Sequence, residues 1–154
     1  MLTVKTYLAP SAIHGIGLFA AESIPANTII WKYNPHIDRI YTETGFLEIC
    51  RNANSLTLRH LLNSSYRRGG RYFYLTDNSR FINHSELPNI VFTDDYTEVS
   101  SRKIKANEEI LENYLLSYDD SDYFFHEMAT PDPLIFLNAF LLQDKHHALH
   151  QDLS

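Results

Sequence analysis

The apolar residues of this chain come in short runs cut by turn chemistry, and that pattern limits most what it can fold into. Val4–Leu8 alternates roughly with period two until Pro10 breaks it. Gly15-Ile16-Gly17 precedes the short apolar strand Leu18-Phe19-Ala20. Thr28–Tyr33 is a β-branched and aromatic strand ended by Asn34-Pro35. Arg71–Leu75 returns to strand chemistry, closed by Asp77-Asn78, and Ile90–Thr93 with Thr97–Val99 reads as a hairpin around Asp94-Asp95. From about Thr42 to Tyr66, by contrast, Leu47, Ile49, Cys50, Leu56, Leu58, Leu61 and Leu62 recur at helical spacings with no proline. Pro133 stands at a first helical position, predicting a terminal helix to about His147. The expected class is mainly β, with a short helical insert and a C-terminal helix.

Ile24–Ile30 and Ile104–Ile110 share the pattern I-x-A-N-x-x-I. Asparagine tolerates positive φ and bonds its own backbone, so both segments are predicted to turn at Asn27 and Asn107.

Composition bounds the rest. A chain of 154 residues and 17.9 kDa fits one compact domain. With 44% hydrophobic and 21% charged residues, 5 Gly and 6 Pro, neither disorder nor a fibrous repeat fits. The longest apolar stretch, Pro133–Leu142, is far short of the ~20 residues of a membrane span. Met1–Pro10 has no apolar run of signal-peptide length. Cys50 is the one cysteine, which excludes an internal disulfide framework and a thiolate zinc cluster. A soluble, cytoplasmic protein is expected. The net charge of −6 and pI of about 5.7 lack the basic footprint of nucleic-acid binding and favour a Lys/Arg-rich partner. Arg67, Arg68 and Arg71 cluster around Gly69-Gly70 and read as an exposed turn.

Three segments carry chemistry. Gly15-x-Gly17 is a turn, or a backbone that must approach a ligand closely; it lacks the third glycine of a dinucleotide fingerprint. Arg80-Phe81-Ile82-Asn83-His84-Ser85-Glu86-Leu87-Pro88-Asn89 packs polar and turn residues between apolar strands. Asn107–Tyr114 reads as an acidic edge strand with Ile110, Glu112 and Tyr114 on one face and Glu109, Leu111 and Asn113 on the other. Together, in this order and rough spacing, they resemble the SET domain, the S-adenosylmethionine-dependent protein lysine methyltransferase family. The string R-F-x-N-H-S-x-x-P-N is highly specific, and the resemblance runs from Val4 to about Tyr118. Ile30–Pro35 with Asp38 resembles the small stand-alone SET proteins of bacteria.

The resemblance implies a β-clip fold of short curved sheets with a pseudoknot. It implies a SET domain over 1–118, with the helical insert at about 42–66, followed by an acidic-aromatic segment and helix over 119–154. His14, Gly15, Ile16 and Gly17 would meet the methionine part of the cofactor, and Asn83 and the backbone of His84 its amino-acid and adenine parts. Arg80 would brace the site, and Tyr114 would be the catalytic residue whose hydroxyl orients the methyl group and the lysine amine. Tyr33, Tyr66, Glu112 and Tyr118 would line the substrate channel.

Methyl transfer needs a neutral amine, and at a pKa near 10.4 that form costs roughly 4.6 kcal/mol at pH 7. Desolvation in an apolar channel and the sulfonium charge lower that cost, and in-line positioning supplies much of the rest. Neither a metal nor a covalent intermediate is implied.

Three departures from the family pattern stand out. Glu86 falls where the family commonly has Cys, and Glu112 where many members carry Phe or Tyr. The zinc-binding cysteines of some members are missing, so Tyr118–Phe125 is expected to close the channel. The alternative is a weak or inactive SET-like module that binds a basic peptide. His146, His147 and His150 read as a solvated helix end, and the apolar Leu134–Leu142 as a helix buried against its own domain or, as a homodimer contact, against a second subunit. The target lysine, and delivery to a host cell or nucleus, stay open.

Overall fold

The computed structural model describes residues 1–93 and 95–122. In chain order the elements are β1 (Thr6–Pro10), β2 (Ile16–Ala20), β3 (Ile29–Lys32), β4 (Arg39–Thr42), α1 (Glu43–Arg51) and α2 (Ser55–Asn63). There follow β5 (Ser65–Arg68), β6 (Arg71–Tyr74), a single 3-10 turn at Asn78–Phe81, β7 (Asn83–His84), β8 (Ile90–Thr93), β9 (Thr97–Ser100), β10 (Leu111–Glu112) and α3 (Tyr114–Ser117). Short strands in small sheets dominate, as the cut apolar pattern predicts. Two compact units are built from them: Met1–Ile40 with Phe73–Tyr118, and Tyr41–Tyr72 with Asp119–Asp122.

In the first unit β1 and β2 pair antiparallel, with Pro10 opposite Ile16. Proline closes this strand rather than preceding its end, since the last residue of an edge strand needs no ladder donor. β3, β9 and β8 form a sheet in that order, and β8–β9 is the expected hairpin. Leu18, Ala20, Ile24, Ile30, Ile82, Ile90, Ile104 and Ile110 are its buried core. Fully burying each such Ile or Leu contributes roughly 1.5–3 kcal/mol.

The two I-x-A-N-x-x-I segments do more than share a turn. Asn27 and Asn107 both adopt left-handed backbone, at φ 59° and 64°. Ile24 N donates to Ile104 O at 2.8 Å, and Ile104 N returns the bond to Ile24 O at 2.9 Å. Asn27 N bonds Ser100 O, and Asn107 N bonds Ala20 O, each at 2.8 Å. Each turn thus hangs on the strand that leads into the other.

The second unit holds the helical stretch, which is two helices rather than one. Asn54 ends the first run by capping α2, its side chain accepting from Thr57 N at 2.9 Å, and Thr42 caps α1 in the same way. The apolar faces bury Phe46, Leu47, Cys50, Leu58 and Leu62, with Phe46 stacked on Tyr72 at 4.1 Å. Burial pushes the Cys50 thiol up to about 11 and the Tyr72 phenol up as well.

The Arg67 turn corrects the expectation of plain exposure. Its guanidinium meets Asp119 at 2.7 Å and Glu43 at 3.0 Å, and its side chain is only 17% exposed. Asp119 also accepts from Gly69 N and Gly70 N at 2.9 Å, and Asp122 from Arg67 N at 2.5 Å. Both glycines have positive φ, so the turn aims two backbone donors at one carboxylate. The acids at 119 and 122 therefore serve this turn. Tyr123–Phe125, Leu134–Leu142, the expected C-terminal helix and His146, His147 and His150 lie outside the described residues. Among the described residues no helix is long and apolar enough to cross a membrane.

Candidate functional site

The site starts from the loop between Asn83 and Asn89, both of whose ends bond the segment Glu109–Glu112. β7 and β10 pair in parallel, with Leu111 opposite Asn83 and Glu112 opposite His84. Ser85 N donates to Glu112 O at 2.9 Å and Asn89 N to Leu111 O at 3.0 Å. The enclosed Asn89 side chain completes the clasp: Nδ2 donates to Glu109 O at 2.7 Å, and Oδ1 accepts from Leu111 N at 2.8 Å. Parallel pairing of two-residue strands is weak alone, and this asparagine supplies what the ladder lacks.

The clasp delivers Asn83 to the Gly15–Gly17 turn. Its Nδ2 donates toward His14 O at 3.1 Å, Ile16 O at 3.3 Å and Glu109 Oε1 at 2.8 Å. Gly15 has φ 50°, and a methyl group there would meet no atom within 4 Å. Gly17 is glycine for a different reason: a methyl group would come within 2.1 Å of Glu109 Oε1. Ser11 Oγ donates to Glu109 Oε2 at 3.0 Å and accepts from Ile13 N at 2.9 Å and His14 N at 3.3 Å.

One residue further on, His84 reaches Tyr114. The Tyr114 backbone N–H donates to His84 Nδ1 at 3.1 Å. The Tyr114 hydroxyl donates to Ile82 O, and the ring stacks on Tyr118 at 4.4 Å. Tyr114 is not on a strand, as expected from sequence, but opens α3, because Asn113 caps that turn through Leu115 N.

Other expected residues are placed as follows. His14 contributes its carbonyl, with an exposed side chain. Arg80 is exposed, its guanidinium carbon 4.9 Å from the Phe81 ring centre. Glu112 is buried at 4% exposure. Tyr33 packs its ring against Tyr96 at 6.2 Å rather than against Tyr114. Tyr66 is buried on β5, in the second unit. Ser11 and Glu109 went unnoticed as site residues. The available signal was Gly17, whose missing side chain implied a close neighbour without naming it.

The SET domain family model matches residues 15–115. Histone-lysine N-methyltransferase 2D of Homo sapiens is 27% identical over 132 residues, covering 77% of this chain, and the Mus musculus protein matches equally. This chain spans about 2% of the length of those relatives. Among solved structures, ctPRC2 aligns with a TM-score of 0.55 at 21% identity, over 72% of this chain and 14% of that one. A humanized mutant of the Chaetomium thermophilum Polycomb Repressive Complex 2 bound to an inhibitor aligns at 0.52 with 20% identity, over 75% and 15%. These alignments show a shared fold.

Proposed function

The chain belongs to the SET domain family, and from that premise we propose that it is a protein lysine methyltransferase using S-adenosylmethionine. One observation carries this most: Asn83 reaches the carbonyls of the Gly15–Gly17 turn while the adjacent His84 holds the backbone of Tyr114. The residues suit the cofactor, since the space over Gly15 is open and the turn presents polar backbone atoms. When bound, S-adenosylmethionine supplies a methyl group on a positively charged sulfur.

In this reading His14–Gly17 and Asn83 hold the amino-acid end of the cofactor, and His84 the adenine side. Arg80 braces the loop from outside. Tyr114 is the catalytic residue, and its hydroxyl, directed by the Ile82 carbonyl, orients the incoming amine. The stacked Tyr114–Tyr118 pair offers an apolar aromatic wall, which favours the neutral form of a lysine beside it. Tyr33 and Tyr66 remain proposed channel residues. The substrate is a basic protein segment: the relatives' name points to histone lysines, and a chain of net charge −6 suits a tail of that kind. We place the protein in the cytoplasm, with the SET domain over 1–118.

Buried Glu112 favours a second reading, a module that binds a basic peptide without turnover, because a carboxylate near the channel stabilises a charged lysine. Titration calorimetry with S-adenosylmethionine, followed by methyl-transfer assays on a basic peptide array, separates the two. The enzyme binds the cofactor, binds it about 10- to 100-fold more weakly in Asn83→Ala, and loses turnover but not binding in Tyr114→Phe. Peptide binding with no methyl transfer under saturating cofactor establishes the module instead.

A further inference from the structure

Glu109 is an acid with no cation partner among the described residues. Its carboxylate is half-buried against Gly17, with Oε1 2.8 Å from Asn83 Nδ2 and Oε2 bonded to Ser11 Oγ at 3.0 Å. Among the described residues no Lys, Arg or His pairs with it. Its neighbour Glu108 does have a cation, Arg102, at 2.7 Å. Asn83 Nδ2 has two hydrogens and faces three acceptors, the His14 and Ile16 carbonyls and Glu109 Oε1, at 3.1, 3.3 and 2.8 Å. One acceptor is in surplus, and the group of three is negative. Partly desolvated negative charge of this kind is stabilised by a cation that also donates hydrogen bonds.

We propose that Glu109 is a specificity-determining residue of this site, selecting adenosine thioethers and sulfoniums that carry an α-ammonium over those that lack it. The proposal rests on the S-adenosylmethionine reading above and adds to it a discriminating residue. An ammonium has three N–H donors and a full positive charge, which matches two carbonyls and a carboxylate. A nucleoside offers neither at this point. Ser11 fixes the second carboxylate oxygen, so the first is held at the turn instead of swinging into water.

The test compares two neutral-sulfur ligands by calorimetry on the full chain: S-adenosylhomocysteine, and its analogue with the α-amino group replaced by hydrogen. The wild-type protein binds the amino form at least about tenfold more tightly, the range of one charge-assisted hydrogen bond. Glu109→Gln keeps the shape, drops the charge, and brings the two ligands within about threefold while leaving the deaminated one unchanged. Ser11→Ala keeps the charge but frees the carboxylate, so it narrows the preference without abolishing it. Equal affinities in the wild-type protein overturn the proposal without any variant. Equal weakening of both ligands in Glu109→Gln also overturns it, leaving Glu109 as a brace for the turn. A wild-type protein that binds neither S-adenosylhomocysteine nor S-adenosylmethionine overturns the cofactor reading itself, and the role of Glu109 with it.

Discussion

Asn89 is wholly enclosed and spends its side chain on the backbone of Glu109 and Leu111, whereas Asn83, in the same loop, is half-buried and points its amide at two carbonyls and a carboxylate. The acids beside them differ in the same sense. Glu108 lies 3.4 Å from the Asn89 amide and is paired with Arg102; Glu109 lies beside Asn83 with no such cation among the described residues. One residue type in one motif therefore does two jobs, and surroundings assign them. Hydrogen bonds sealed in the interior have no alternative partner and hold the fold. Those at an open turn can be exchanged for bonds to a ligand.

The largest effect expected is on the enclosed side. Asn89→Ala leaves a buried carbonyl and a buried N–H without partners and costs about 3 kcal/mol or more, while Asn83→Ala costs about 1 kcal/mol or less. Urea unfolding of both variants measures this, and similar costs would erase the distinction. Next comes binding: Asn83→Ala weakens S-adenosylmethionine by about 10- to 100-fold in calorimetry, the range for hydrogen bonds to charged groups. A variant with wild-type affinity moves Asn83 to the structural side.

A smaller effect tests the paired turns at Asn27 and Asn107. Asn27→Ala and Asn107→Ala each cost about 1–2 kcal/mol, because alanine resists left-handed backbone, and glycine at either position is close to neutral. The smallest effect concerns pH. The Glu108 carboxyl is pushed up by desolvation, but this is outweighed by its hydrogen bonds to Arg102, Lys105 N and Asn89, and the net shift is downward. A lowered carboxyl pKa contributes stability above the unfolded value, lost as pH falls through the folded one. The expected contribution is under about 1 kcal/mol, as for a partly exposed ion pair. Glu108→Gln removes that acid-side slope in unfolding curves; an unchanged slope assigns it to other carboxylates.

The sequence made the strands legible where turn chemistry is local. The β8–β9 hairpin and the asparagine turns follow from neighbouring residues, and the N-H-S-x-x-P-N string pointed to the right family. Features that depend on distant partners were not legible. Glu109 looked like one acid in an acidic strand until folding set it on Gly17, and nothing beside Asp119 in the sequence announced Arg67 as its partner. The Tyr114 helix was missed because a single turn rests on one cap, Asn113, and leaves no periodicity to read.

The exchange of bonds between Ile24 and Ile104 also constrains how the protein is born. At about 5–20 residues per second, synthesis leaves the N-terminal turn waiting several seconds for its counterpart. β3 waits similarly for β9, its ladder partner. The apolar edge of β3 thus spends that interval uncovered on the ribosome, where hydrophobic strands invite chaperones. Contacts this distant in sequence also make for slow closure, so refolding from denaturant should be sluggish and prone to aggregation at high protein concentration.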